Sequence, residues 1–169
     1  MSSDNLKLYG PVDISFNEDG VAKRIESEHR KAFIDKLRVL GIDKKDGCYV
    51  FALRSGKGFT PWYVGQATKG FGQECMEDHK LHTYANVFAR GIKGTPVMFF
   101  VCQPGTAKNV KLKTCDEVEK ALIQYAKSKN PELMNKKNAK LPEWEIEGVI
   151  RPTRKPTNEE VSFAKMMGI

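Results

Sequence analysis

The chain has 169 residues and a mass of 19.1 kDa, room for one hydrophobic core with terminal extensions. Hydrophobic residues make up 40% and charged residues 29%, which excludes wholesale disorder, and no apolar run approaches the ~20 residues that span a bilayer, which excludes a transmembrane helix. The net charge of +7 sits inside the chain: residues 47–69 hold three basic and no acidic side chains, and residues 107–140 hold nine basic against four acidic.

Residues 1–18 read as an irregular or short-strand arm. After Asp19-Gly20, the residues Val21, Ile25, Ala32, Phe33, Leu37 and Leu40 fall near one helical face, with Gly41 as the stop. Residues 47–53 (GCYVFAL) form a β-prone run, 54–61 (RSGKGFTP) a loop, and 62–67 (WYVGQA) a second strand. Strands this close in sequence pair as an antiparallel hairpin. A helix of mixed polarity is expected over 73–90. The continuously apolar run 96–102 (PVMFFVC) fits a strand buried on both faces. Thr114 and Glu117 match a capping box, opening a helix over 115–128 that fades at Asn130-Pro131. A short strand over 144–150, a Pro-rich turn and a helix from Thr157-Asn158 close the chain.

The expected fold class is α/β, a small mixed sheet sandwiched by helices with N- and C-terminal helical extensions. Three segments follow: an arm and helix over 1–45, a central domain over 46–138, and a strand and helix over 139–169.

The N-terminal MSSDNLKLYG lacks the apolar stretch of a secretory signal, so a cytoplasmic location is expected, with no membrane partner. Cys48, Cys75, Cys102 and Cys115 form no CxxC pair, and two of them interrupt apolar runs. Buried free thiols are expected, rather than a disulfide framework or a zinc site. The basic segments suit a polyanion, with a solubilising surface as the alternative.

Within this frame Tyr49 and Tyr63 lie on facing strands of the hairpin and can project to one surface. Gly65 shares the face of Tyr63 and leaves room for a close approach to the backbone. Glu119 lies one turn before Leu122 and Ile123, near the buried edge of its helix. A carboxylate there needs a partner, and a metal ion is one candidate.

Gly47-Cys48-Tyr49, then Tyr63-Val64-Gly65, a helix, an apolar strand, Glu119-Lys120-Ala121-Leu122-Ile123 and Asn135 after Asn130-Pro131 come in an order that resembles the GIY-YIG nuclease superfamily. The resemblance covers residues 46–138. It implies a DNA endonuclease that hydrolyses phosphodiester bonds with Mg2+ or Mn2+, working as a monomer or a homodimer. By the same resemblance Tyr49 and Tyr63 are catalytic, Glu119 holds the metal, and Gly47, Gly65 and Asn135 are motif residues.

One element departs from the family pattern. The stretch Thr68–Cys75, where the family places an arginine, contains none. Lys80 is the first candidate to replace it, Lys69 the second, and His79 could act as a base or a phosphate ligand. Lysine supplies the charge without the bidentate fork. A catalytically inactive nucleic-acid-binding module on the same scaffold, or a protein-interaction domain, are the alternative functions.

Overall fold

The structure, a computed structural model, describes residues 5–18, 23–137, 146–149 and 154–168. The chain divides into two compact units, residues 1–139 and 140–169.

The first unit is built on a four-stranded sheet. Its strands are β1 (Lys7–Asp13), β4 (Gly47–Ser55), β5 (Gly58–Ala67) and β6 (Thr95–Cys102), in the spatial order β1-β6-β4-β5. A separate two-stranded ribbon pairs β2 (Asn17–Glu18) with β3 (Lys23–Arg24). The helices are α1 (Ser27–Val39), α2 (Phe71–Glu74), α3 (Asp78–Phe88) and α4 (Leu112–Lys129). The expected mixed sheet is corrected: every strand pair among the described residues is antiparallel. The N-terminal arm is part of this sheet, because β1 pairs with β6 from Lys7↔Cys102 to Asp13↔Val97.

The hairpin of β4 and β5 is tighter than its composition suggests. Ser55 already pairs with Gly58, so the expected loop over 54–61 shrinks to Gly56-Lys57, with Gly56 at φ +59°. That positive φ suits a glycine in a two-residue hairpin turn.

Alternation along the strands sends side chains to two faces. On one face Tyr49, Phe51 and Leu53 of β4 join Met98 and Phe100 of β6. They pack with Phe33 and Leu37 of α1, Phe71 of α2, and Tyr84, Val87 and Phe88 of α3. Phe51 and Tyr84 stack with ring centroids 4.2 Å apart. On the other face Val64, with Val50 beside it, meets Ile123 and Ala126 of α4 and Leu133 beyond it.

Three helix boundaries differ from expectation. The first helix starts at Ser27, not near Val21, because Glu26 and His29 form a reciprocal cap there and residues 23–24 are spent on β3. Asp19, Gly20 and Val21 lie outside the described residues. The helix expected over 73–90 is two helices, broken at Cys75-Met76-Glu77. Cys75 and Met76 are both fully buried. The Tyr84 hydroxyl donates to the Cys75 carbonyl at the break (2.8 Å). The capping box at Thr114 and Glu117 is overturned: α4 starts at Leu112, which places Thr114 inside the first turn, and Glu117 lies beside Lys113 (4.0 Å).

The second unit contains α5 (Asn158–Met167), which starts where its sequence predicts, with Thr157 as N-cap and Glu160 returning the capping bond. Arg154 binds both carboxylate oxygens of Glu160 (2.7 and 3.0 Å) and reaches Glu147 (2.8 Å). Of the strand expected over 144–150, Ile146 forms a lone bridge and 147–149 are turn; 144, 145 and 150 lie outside the described residues. No helix of the described residues is long and apolar enough to cross a membrane.

Candidate active site

Tyr49 and Tyr63 do reach the same face of the hairpin. Tyr49 pairs with Gly65 and Phe51 with Tyr63, so the two tyrosines are neighbours in register, with ring centroids 6.3 Å apart. Gly65 makes that possible in a specific way. A Cβ on it would lie 2.5 Å from Cζ and from the hydroxyl of Tyr49, so the room expected at Gly65 is filled by the Tyr49 ring. Gly47 at φ +151° passes against the Val101 carbonyl and the Phe71 ring, where a side chain has no space.

The two tyrosines differ in exposure. Tyr49 is fully buried, with the edge of Phe71 against it. Its hydroxyl has no hydrogen-bond partner among the described residues. Burial, then the neighbouring Tyr63, push its pKa far above the usual range. Burial thus disfavours the ionised form of Tyr49 and packs its ring as a rigid floor beside Tyr63. Tyr63 is half-buried, and its hydroxyl accepts a hydrogen bond from Lys80 Nζ at 2.8 Å. The same ammonium lies 5.0 Å from the Tyr63 ring centroid and 5.9 Å from that of Tyr49. Lys80 projects from the first turn of α3, so the break in the expected helix aims it: the chain turns at 75–77 and restarts with Lys80 over the hairpin.

Glu119 sits on the inward stripe of α4, between the buried Cys115 and Ile123 at i−4 and i+4. Its carboxylate makes no hydrogen bond or ion pair with the other described residues. Burial raises its pKa, and Lys80 is the strongest opposing influence, ahead of Lys120 and Lys137, with Asp116 adding to the rise. Tyr63 on the outer strand β5 and Lys80 above it thus lie on one face of the sheet, and Glu119 on the face that α4 covers. A half-buried carboxylate with no hydrogen bond or ion pair among the described residues is a fit donor for a hard divalent cation, which takes one carboxylate and keeps several waters.

Asn135 closes the open side of β5. Its Oδ1 accepts from the Val64 amide (2.8 Å) and its Nδ2 donates to the Val64 carbonyl (2.7 Å), so one side chain mimics a strand partner. Asn130 Nδ2 to the Pro61 carbonyl and the Met134 amide to the Trp62 carbonyl extend the same seam (2.8 and 2.9 Å). An edge strand is thereby capped, and the chain leaving α4 is tied to it.

Two expected site residues stand apart. His79 is exposed, 3.6 Å from Glu77. Lys69 is exposed, and its backbone amide is held with that of Thr68 by the Glu74 carboxylate. Three residues of the neighbourhood had no sequence signal. Glu74 shapes the turn after β5. Arg30 reaches Asp78 at the start of α3 (3.5 Å) from a helix that precedes both tripeptides. Lys45 is buried, and its ammonium donates to the carbonyls of Gln103, Gly105 and Ala107 (2.9, 2.8 and 2.5 Å), ordering the turn that leads into the basic segment and α4. A lysine next to an aspartate in a polar turn gives no hint of such burial.

Comparison of the chain with family models, characterised proteins and solved structures finds no match.

Proposed function

We propose that this chain is a metal-dependent DNA endonuclease of the GIY-YIG type. The observation that supports it most directly is the 2.8 Å bond from Lys80 Nζ to the Tyr63 hydroxyl, with the Glu119 carboxylate inside the electrostatic reach of the same ammonium. The arginine that the residue pattern lacks at Thr68–Cys75 is replaced one helix later by Lys80, on the second tyrosine of the motif.

Glu119 would hold Mg2+ or Mn2+. A divalent ion bound there supplies Lewis-acid polarisation of a phosphoryl oxygen. The chain's own groups do the rest. In its deprotonated form Tyr63, its oxyanion charge compensated by the Lys80 ammonium, accepts the proton of the attacking water as the bond to phosphorus forms; the bond to the leaving ester oxygen breaks, and that oxygen takes a proton from solvent. Tyr49, locked against Gly65 and Phe71, keeps Tyr63 in place. The basic run over 107–140 draws the phosphate backbone towards α4.

Supercoiled plasmid incubated with and without Mg2+, beside Glu119→Ala, tests the reading. Nicking or linearisation is expected with the metal alone, and none with the variant. Cleavage by Glu119→Ala at the parental rate would overturn it. The absence of an arginine fork favours one second reading, a nucleic-acid-binding module without catalysis. That module would bind DNA without metal, and its affinity would still fall steeply as salt rises.

A further inference from the structure

Two of the four thiols touch. Cys48 on β4 and Cys115 on α4 are both buried, with Sγ atoms 3.7 Å apart, and Cys48 Sγ also donates to the Cys115 carbonyl (3.4 Å). Their positions are telling. Cys48 precedes Tyr49 in the strand, and Cys115 lies one turn before Glu119 on the same stripe of α4.

We propose that Cys48 and Cys115 are a reversible redox site, in which oxidation by a peroxide joins them in a disulfide that displaces Glu119. The effect on Glu119 rests on its role in the proposed endonuclease; the disulfide does not. A disulfide requires a sulfur separation of about 2.05 Å, so the contact must shorten by about 1.7 Å. β4 cannot supply that movement, because it is held by β6 on one side and β5 on the other. Rotation of the two cysteine side chains supplies part of it, and the first turns of α4, which carry Glu119, take up the rest.

Access and chemistry fit a small oxidant. Cys115 follows the exposed residues 105–109 and the exposed Leu112, so fraying of the first helical turn uncovers it. Cys115, at the helix end that frays, is the sulfur a peroxide reaches first, which makes it the attacking sulfur once it loses its proton. The Cys115 thiolate attacks one peroxide oxygen; the O–O bond breaks, and hydroxide leaves and takes up the proton that Cys115 released. Cys48 then loses its proton and attacks the resulting sulfenic sulfur; the S–S bond forms, and the second hydroxide departs as water. Two thiols are oxidised, and one hydrogen peroxide is reduced to two waters.

The fully reduced chain is treated with hydrogen peroxide and followed by intact mass, peptide mapping without reductant, Mn2+ binding and plasmid cleavage. The mass should fall by two hydrogens, with the Cys48 and Cys115 peptides linked and dithiothreitol restoring both. Mn2+ affinity should drop ~10–100-fold, and cleavage ~100-fold. Cys115→Ser and Cys48→Ala should each form no cross-link, and whichever variant folds should keep its Mn2+ affinity in peroxide. The amide resonance of Glu119 should shift on oxidation whether or not the protein cleaves DNA. If the reduced chain never cuts plasmid, the endonuclease reading fails, and mass, mapping and the Glu119 resonance still judge this proposal. No cross-link, a link through Cys75 or Cys102, or a linked protein whose Glu119 resonance is unmoved would overturn it.

Discussion

On one face of the sheet Tyr49, Phe51, Met98 and Phe100 lie beneath α1, α2 and α3; on the other, Val50 and Val64 meet Ile123 and Ala126 of α4. The first layer is aromatic and deep, with Phe51 stacked on Tyr84 and Phe71 packed 4.8 Å from Phe100. The second is thin, and its helix presents a carboxylate and a thiol along the stripe that touches the strands. The contrast separates two tasks. The deep face fixes Tyr63 and Lys80 in one geometry, and the thin face carries a charged group that a larger apolar layer would exclude. Regions with few buried apolar contacts open first, so α4 is the element expected to move.

The largest effect should come from emptying the deep face. Phe51→Ala should cost ~3–5 kcal/mol of stability, and Ile123→Ala about 2 kcal/mol, the low end for its class, because the thin layer can collapse around the loss. Urea unfolding of both variants measures the difference. Equal costs would break the comparison.

Next is the charge that the deep face holds out. Lys80→Ala should slow cleavage ~100–1000-fold while Mn2+ binding persists, since a preorganised cation is removed and the carboxylate is untouched. Lys69→Ala should mainly weaken DNA binding and flatten its salt dependence. Parental cleavage by Lys80→Ala together with none by Lys69→Ala would exchange the two roles.

Smaller again is the seam at the rim. Asn135→Ala removes two bonds to the Val64 backbone, which should cost about 1–2 kcal/mol because water can reach part of the freed edge. Hydrogen exchange at the Val64 amide is the sharper readout, and its protection should fall more than that of Val50. Asn135→Asp keeps the acceptor, loses the donor and sets a charge against the Val64 carbonyl, so it should be no milder than alanine.

The sequence carried the strands more clearly than the helix ends. The runs 47–53, 62–67 and 96–102 are apolar and β-prone, and all three lie in the sheet. The arm reads only as irregular or short-strand because LYGPV contains both Gly10 and Pro11, which weaken any strand signal; β1 tolerates them at the sheet edge, with its pairing interrupted between Tyr9 and Val12. The break at Cys75-Met76 was hidden because apolar periodicity continues across it. For the site, residue order was enough to single out Tyr49, Tyr63, Glu119 and Asn135. It could not tell that Tyr49 is sealed and Tyr63 is not, since exposure is decided by Phe71 and α3, which lie far along the chain. Lys80 was legible as the first cation on the next helix. The thiol pair was not, because Cys48 and Cys115 are brought together by the packing of α4 on β4.

The smallest effect tests why the thin face carries a charge at all. Burial raises the pKa of Glu119, and Lys80 offsets that only in part. The folded protein therefore binds the Glu119 proton more tightly than the unfolded chain does. By linkage, that contribution to stability is fully present below the unfolded pKa and is lost as pH rises through the folded one. At neutral pH the ionised carboxylate is thus a destabilising group. Glu119→Gln should raise the melting temperature slightly at pH 7 without metal, by about 1–2 °C for a surface-scale change in a chain of this size. The advantage should vanish towards pH 4, where both side chains are neutral. Adding Mn2+ should stabilise the parent and leave the variant unmoved, since binding to the folded state alone shifts the equilibrium. Mn2+ affinity of the parent should weaken as pH falls through the raised pKa, at higher pH than for an ordinary glutamate. A variant less stable than the parent at pH 7 without metal would mean that Glu119 is held by its lysines as a structural ion pair, and the two faces of the sheet would then differ in depth alone.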